Sequence, residues 1–297
     1  MIETILVPLD GSELAEQVLP YAKMLASKTE AELVLLSAVV PVQTWLGASS
    51  TRARWKEEAA KATSYLESVR QQISDAGKVR TKVMWGTAAD CIRDTADTEG
   101  ADLIAMTTHG RSGLPRLVMG SVAGEVLHTT LQPVLLVRAG QEQPQRGVDI
   151  NRILVPVDGS PQSESVLPYI ESLAQRLDAD LILERVVTPP VVRRGLPVGL
   201  DLIEDAAAGV YLDKLGETIK RRGIKVQEEV SVGYPAQAIL DAADRYSADL
   251  VAMSSHSRPA VGRWLMGSTA DAVVRQAHRP CLVVRPPAVA AMHLADE

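Results

Sequence analysis

The sequence predicts an α/β protein built from two tandem five-stranded parallel sheets, each doubly wound with helices on both faces. Three observations carry this reading: an internal duplication, five short apolar runs in each copy, and helical spacing between the runs. The duplication is explicit. "ILVPLDGSELAEQVLPYA", Ile5 to Ala22, returns 148 positions later as "ILVPVDGSPQSESVLPYI", the distance from Asp10 to Asp158. "GADLIAMTTHG" returns as "SADLVAMSSHS" 147 positions on, from His109 to His256, and "QPVLLVR" returns as "RPCLVVR". Copies of this length are domains rather than solenoid units.

In the first copy "TILVPL", "ELVLLSAVV", "VRTKVMW", "ADLIAM" and "PVLLVR" read as strands. Runs of four to eight apolar residues bounded by Asp, Gly or Pro suit strands buried on both faces. Residues Glu13 to Ser27, Arg52 to Ala76, Ala88 to Glu99 and Ser121 to Thr130 show helical spacing, with Trp55, Ala59, Ala62, Leu66 and Val69 near one face. Strands alternating with helices give a parallel sheet with right-handed crossovers. The polar segment "AGQEQPQRGVD", Ala139 to Asp149, has no apolar periodicity. The expected layout is a domain over 1–140, a linker over 141–149, a second domain over 150–287 and a tail over 288–297.

Composition sets bounds on function. The 297 residues are 46% hydrophobic and 23% charged, enough for two full cores. A net charge of −6 without clustered Lys or Arg argues against nucleic acid as a partner. The start "MIETILVPLDGS" reads as no secretion leader, and no window approaches eighteen uncharged apolar residues. The expectation is a cytoplasmic protein with no membrane partner. Cys91 and Cys281, without a CxxC or nearby metal-ligand residues, read as core thiols.

Ligands of such sheets bind beyond the carboxyl ends of the strands, at the switch point. After the first strand comes "PLDGS", where Asp10 either caps the first helix or faces a ligand. After the fourth comes "MTTHGRSGLPRLVMGS", Met106 to Ser121, where Gly110 exposes backbone N–H groups and a helix begins at Gly120 and Ser121. A helix N-terminus beside bare backbone is a phosphate site, so the crevice suits a nucleotide with phosphates at the glycines and sugar or base near Asp10. Neither GxxxxGK[ST] nor GxGxxG after the first strand occurs, and GxSxG and HExxH are absent. Ser12 and Ser160 have no base nearby in sequence. His109 and His256 are expected to hydrogen-bond backbone, and no catalytic or metal-ligating residue is assigned. Met119 and Met266 are expected to plug the helix entry. "VVRRGLPVGL", Val191 to Leu200, reads as a surface loop.

The strand "ILVPLDGS", the later "ADLIAMTTHGRSG" and the helix "GSVAGEVL" closing in "PVLLVR" resemble the universal stress protein family, each copy covering one domain of it. The resemblance implies an adenine nucleotide alpha hydrolase-like fold and binding of ATP with Mg²⁺. The family's G-x2-G-x9-G-[ST] frame falls on Thr107, Gly110, Gly120 and Ser121, and in the second copy on Ser254, Ser257, Gly267 and Ser268. The resemblance further implies that Asp10 and Asp158 face base or ribose beside Pro8 and Pro156. It sets Ala38 and Val186 against the adenine. Met106 and Met253 close a buried strand, either packing there or touching the base, and Arg111, near Val122 in the candidate site, either reaches a γ-phosphate or is solvated. Thr107 can substitute for glycine by donating a hydrogen bond.

The resemblance also implies final strands that pair within one chain as a pseudo-dimer, with a possible homodimer of chains. The function so implied is a nucleotide-dependent stress-response or signalling module. The alternatives are a stress protein that works through its surface and dimerisation without nucleotide, or a slow ATPase. Ser257 puts a side chain where Gly110 leaves room for phosphate. ATP is therefore expected to occupy nearer one site than two per chain at modest excess, as calorimetry on nucleotide-free protein would read.

Overall fold

In a computed structural model the described residues are 2–40, 48–109, 119–140, 147–188, 200–255 and 266–286, without the side chains of 48–53 and 200–205. The chain divides into two compact units, Met1–Asp149 and Ile150–Glu297. In the first, β1 (Thr4–Pro8) leads through α1 (Glu13–Glu16) and α2 (Leu19–Thr29) to β2 (Glu32–Val39). Then follow α3 (Ala48–Gln72), β3 (Val79–Trp85), α4 (Ala88–Thr98), β4 (Leu103–Thr107), α5 (Ser121–Thr129) and β5 (Val134–Val137). All strand pairs are parallel, in the order β3-β2-β1-β4-β5.

The second unit repeats the plan. It runs β6 (Arg152–Pro156), α6 (Pro161–Glu164), α7 (Leu167–Leu177), β7 (Asp180–Val187), α8 (Leu200–Lys220) and β8 (Val226–Val232). It closes with α9 (Pro235–Arg245), β9 (Leu250–Ser254), α10 (Ser268–Gln276) and β10 (Cys281–Val284). Its order is β8-β7-β6-β9-β10, again parallel. Each core is the middle of its sheet, with Ile5, Leu6, Leu33 and Ile104 buried in one and Ile153, Leu154, Leu181 and Val251 in the other. Cys91 and Cys281 are both buried and neither forms a disulfide, the expected core role. Among the described residues no helix is long and apolar enough to cross a membrane.

Three sequence expectations are corrected. The first helix is two, because Val18 caps a new start and Pro20 occupies its first turn, where a proline costs no hydrogen bond. The third strand is not buried on both faces: β3 is an edge with every residue partly or fully exposed. Charge covers it, since Arg80 binds Glu32 at 2.8 Å and Glu99 at 3.0 Å while Lys82 binds Glu99 at 2.5 Å. Such charges discourage edge-to-edge pairing. The apolar face of α3 is buried at Leu66 and Val69, but Trp55 is exposed and lies 6.0 Å from the Trp85 ring of that edge. The loop 191–199 lies outside the described residues.

The duplication preserves contacts while exchanging their chemistry. Lys23 on α2 pairs with Asp75 at 2.8 Å. The equivalent positions on α7 and after α8 hold Glu171 and Arg222, an ion pair of opposite polarity. Partly exposed pairs of this kind contribute about 0.2–1 kcal/mol. Lys23→Glu should lower the stability of the first unit by about 0.5–1 kcal/mol through repulsion from Asp75, and Lys23→Glu with Asp75→Arg should restore it. Urea unfolding of the three proteins checks the coupling.

Candidate functional site

The site begins where a strand pairing stops. β1 is bonded to β2 through all five of its residues, but to β4 only at Ile5–Leu103 and Leu6–Ile104. Alternate residues of a strand aim their N–H groups to opposite sides. Leu9 donates to Leu36 on the β2 side at 2.8 Å, and Thr4 accepts from Asp102 on the β4 side at 2.9 Å. Residue 8 therefore faces β4, and Pro8 has no N–H to give. The two chains separate there and open a cleft of about 320 Å³ at the carboxyl ends of the sheet.

The expected residues gather around it. Pro8 and Asp10 line one wall and Ala38 extends it from β2. Met106 and Thr107 come from β4, and Gly120, Ser121 and Val122 from the start of α5. Gly110 and Arg111 lie outside the described residues. Sequence reasoning missed the apolar lid of Ala88 and Ile92 on α4, whose signal was the buried stripe of an amphipathic helix.

Local geometry assigns several roles. Ser12, not Asp10, caps α1: its hydroxyl accepts from the N–H of Ala15 at 3.1 Å. Asp10 instead accepts from the Ser12 N–H at 3.0 Å and its hydroxyl at 2.6 Å, which fixes the carboxylate at the cleft mouth. Thr107 donates its hydroxyl to the His109 carbonyl at 2.7 Å. Its proton is thus engaged within the loop, against the expectation that it would be given to a ligand. His109 bonds through Nδ1 to the Thr108 hydroxyl at 3.0 Å rather than to backbone. Met119 packs its methyl against the Gly124 position of α5, the expected plug.

Gly120 is the N-cap of α5 and no side chain caps this helix. Its N–H bonds the Thr108 carbonyl at 2.9 Å, and a Cβ there would stand 2.9 Å from the same oxygen. Only glycine lets the loop close on the helix this tightly. The first N–H groups of α5 and its positive dipole end thus face the cleft, which is what an anion requires.

The second unit holds the same constellation. β6 pairs with β9 only at Ile153–Leu250 and Leu154–Val251, and Pro156 again stands where the donor would face β9. The resulting cleft of about 280 Å³ is lined by Pro156, Asp158, Val186, Met253, Ser254, Gly267 and Ser268, all expected. Ser257 lies outside the described residues. Gly267 caps α10 without a side-chain bond. Arg185, where the first copy has Ser37, presses on Gly159 and stacks 5.2 Å from the Tyr211 ring.

One wall residue differs in kind. Glu184 on β7 holds the place of Leu36, has no solvent exposure and lines the cleft. Its Oε1 accepts from the Ser231 hydroxyl at 2.8 Å, while Oε2 is buried without a hydrogen-bond partner. Burial pushes its carboxyl up to about 7, aided by Glu229 and Asp241 and opposed by Ser231 and Arg245. The signal in sequence was a carboxylate inside "ADLILERVV" where the first copy reads "AELVLLSAV".

A doubly wound sheet with a helix N-terminus and a fixed carboxylate across one switch-point crevice defines the class as an open α/β protein with its cleft at the carboxyl ends of the strands. Comparison with known proteins gives the family. The model of the universal stress protein family matches residues 1–138 and again 149–285, and the chain belongs to that family in tandem form. A universal stress protein of Mycolicibacterium smegmatis is 27% identical over 292 residues, covering 95% of this chain and 97% of the relative. Universal stress protein MJ0531 of Methanocaldococcus jannaschii is 32% identical over 142 residues, 46% of this chain and 82% of its own. The solved structure of a universal stress protein from Archaeoglobus fulgidus shares the fold at a TM-score of 0.76 with 23% identity, over 97% of this chain and 100% of that one.

Glu184 makes stability depend on pH in a definite direction. Its folded carboxyl is raised above the usual 4.5, so the native state holds its proton more tightly than the unfolded chain. Stability is favoured below about 4.5 and lost as pH rises toward 7. Glu184→Gln cannot ionise. Between pH 5 and 8 the wild type should lose about 1–3 kcal/mol relative to this variant, read by urea unfolding at both pH values.

Proposed function

We propose that the chain binds an adenine nucleotide with Mg²⁺, mainly in the first unit, and acts as a nucleotide-dependent stress-response or signalling module. The domains concerned are 1–140 and 150–287. The observation that carries this reading is the glycine-capped start of α5 opening into the same cleft as Asp10 and Ala38. Phosphates would lie at Gly120, Ser121 and Val122, together with Gly110 and Arg111 of the sequence motif. The base would lie between Ala38, Met106 and the apolar lid of α4, with Asp10 toward the sugar. Mg²⁺ would be carried on the phosphate oxygens, as this ion commonly is. Pairing of the final strands within a chain, association into a homodimer and a cytoplasmic location belong to the same proposal; light scattering reads the homodimer.

Ligand that binds only the native state adds about 2.7 kcal/mol at a hundredfold excess over Kd. MgATP should therefore raise the melting temperature of nucleotide-free protein by several degrees, at roughly 2–4 °C per kcal/mol. Gly120→Val would drive a branched side chain against the Thr108 carbonyl and should weaken binding at least about tenfold. Asp10→Ala should weaken it less. Calorimetry in which both folded variants bind MgATP like the wild type would overturn the nucleotide reading.

A further inference from the structure

We propose that the second cleft recognises a purine nucleotide through an exocyclic amino group on the buried edge of its base, accepted by Glu184 Oε2. This rests on the nucleotide reading and goes beyond it, because the first cleft has no counterpart for the contact. The duplicated fold supplies the control. Leu36 and Glu184 occupy the same register beside β1 and β6: Pro8 pairs with Leu36, and Pro156 with Glu184. The wall around them is otherwise apolar in both clefts, with Ala38, Ile92 and Met106 in one and Val186, Ile239 and Met253 in the other.

A fully buried carboxyl with one oxygen unsatisfied costs stability for the missing partner. Ser231 satisfies Oε1, and Oε2 has no partner. Glu184 shares the cleft-lining face of β7 with Val186, two residues on, so a base lying against Val186 reaches it with its edge. The groups that bear on its charge are Glu229 on β8 and Asp241 and Arg245 on α9. A protonated Glu184 has no lone negative charge to offer, whereas the ionised form accepts an N–H strongly. An amino group therefore binds best when Glu184 is ionised, and discrimination in its favour should rise with pH. No such dependence is available to Leu36.

The two clefts can be read separately in the intact chain. Met106 lines the first and Met253 the second, so methyl-labelled methionine spectra, assigned with Met106→Leu and Met253→Leu, report each site as ligand is added. The probes are MgATP and the magnesium complex of purine riboside triphosphate, which has the same phosphates and lacks the amino group. At pH 8 the Met253 signal should titrate with MgATP at least about tenfold more tightly than with the other nucleotide, and the ratio should shrink at pH 6. In Glu184→Leu the ratio should fall to that seen at Met106. Glu184→Gln, which keeps an acceptor oxygen but does not ionise, should retain a ratio that no longer changes with pH. Met106 should behave alike in all three proteins.

Equal titration of Met253 by both nucleotides in wild type would overturn the Glu184 contact, as would a Met253 signal that stays still while Met106 responds. Both of these outcomes leave the nucleotide reading intact. Silence of both methionines with MgATP would overturn both proposals together.

Discussion

Everything that the two clefts contain depends on a strand that must be paired on both sides and yet released on one. β1 and β6 sit between two parallel neighbours, so their backbone groups are satisfied from left and right and their side chains are buried above and below. Continued pairing would leave no room for a ligand. Proline at the last strand position removes one donor, on the side of β4 or β9, while the next residue still bonds the other neighbour at 2.8 Å. The sheet remains closed on one side of the strand and opens on the other. The loop that carries Asp10 turns away at Gly11, whose φ of 81° is the left-handed region that glycine enters without cost.

The duplication separates what the fold requires from what each cleft does. Several contacts that hold the scaffold recur in both units, whether or not their residues change: Gln132 bonds Asp97 at 2.9 Å, and Arg279 bonds the equivalent Asp244 at 3.0 Å. Tyr65 donates to Glu16 at 2.9 Å, and Tyr211 to Glu164 at 2.8 Å, tying the long helix to the short one in each unit. Lys23 and Asp75 become Glu171 and Arg222 with their polarity exchanged. Leu36 becomes Glu184 with only half a compensation, because Ser231 answers one oxygen and nothing answers the other. These scaffold pairs keep their partners, whereas the half-satisfied carboxyl of Glu184 lies in a cleft wall.

Much of this was legible in the sequence because strand and turn signals are local. "TILVPL" and "ADLIAM" are apolar runs ended by Pro-Leu-Asp-Gly and by small hydroxyl residues, and they emerge as β1 and β4 within two residues. The described candidate residues meet in their clefts since each lies at a strand end or helix start, which topology alone brings together. What failed was decided by tertiary context. β3 has β-branched residues like the central strands but also Arg80 and Lys82, a charge signal that the strand reading passed over, and the sheet order makes it the exposed edge. Trp55 belongs to the apolar stripe of α3 by spacing, but it stands over the exposed edge strand, where its ring meets Trp85. The roles of Asp10 and Thr107 turned on which short side chain reached the free N–H or carbonyl first, which spacing does not determine.

The two ends of the cleft carry unequal costs. At the helix-start end both units use glycine as helix cap, which forgoes a side-chain bond at a loss of only a few tenths of a kcal/mol relative to serine or aspartate. Both units can bear that without consequence for folding, and both do. At the wall formed by β2 or β7 the first unit has Leu36, and the second holds a buried carboxyl whose burial and missing partner cost considerably more. A scaffold selected for stability alone would place leucine there in both copies, since a leucine demonstrably fits the same register in the first. The helix-start end is therefore the part of the cleft that the duplication leaves in common, and the β2 or β7 wall is where the two units part in chemistry.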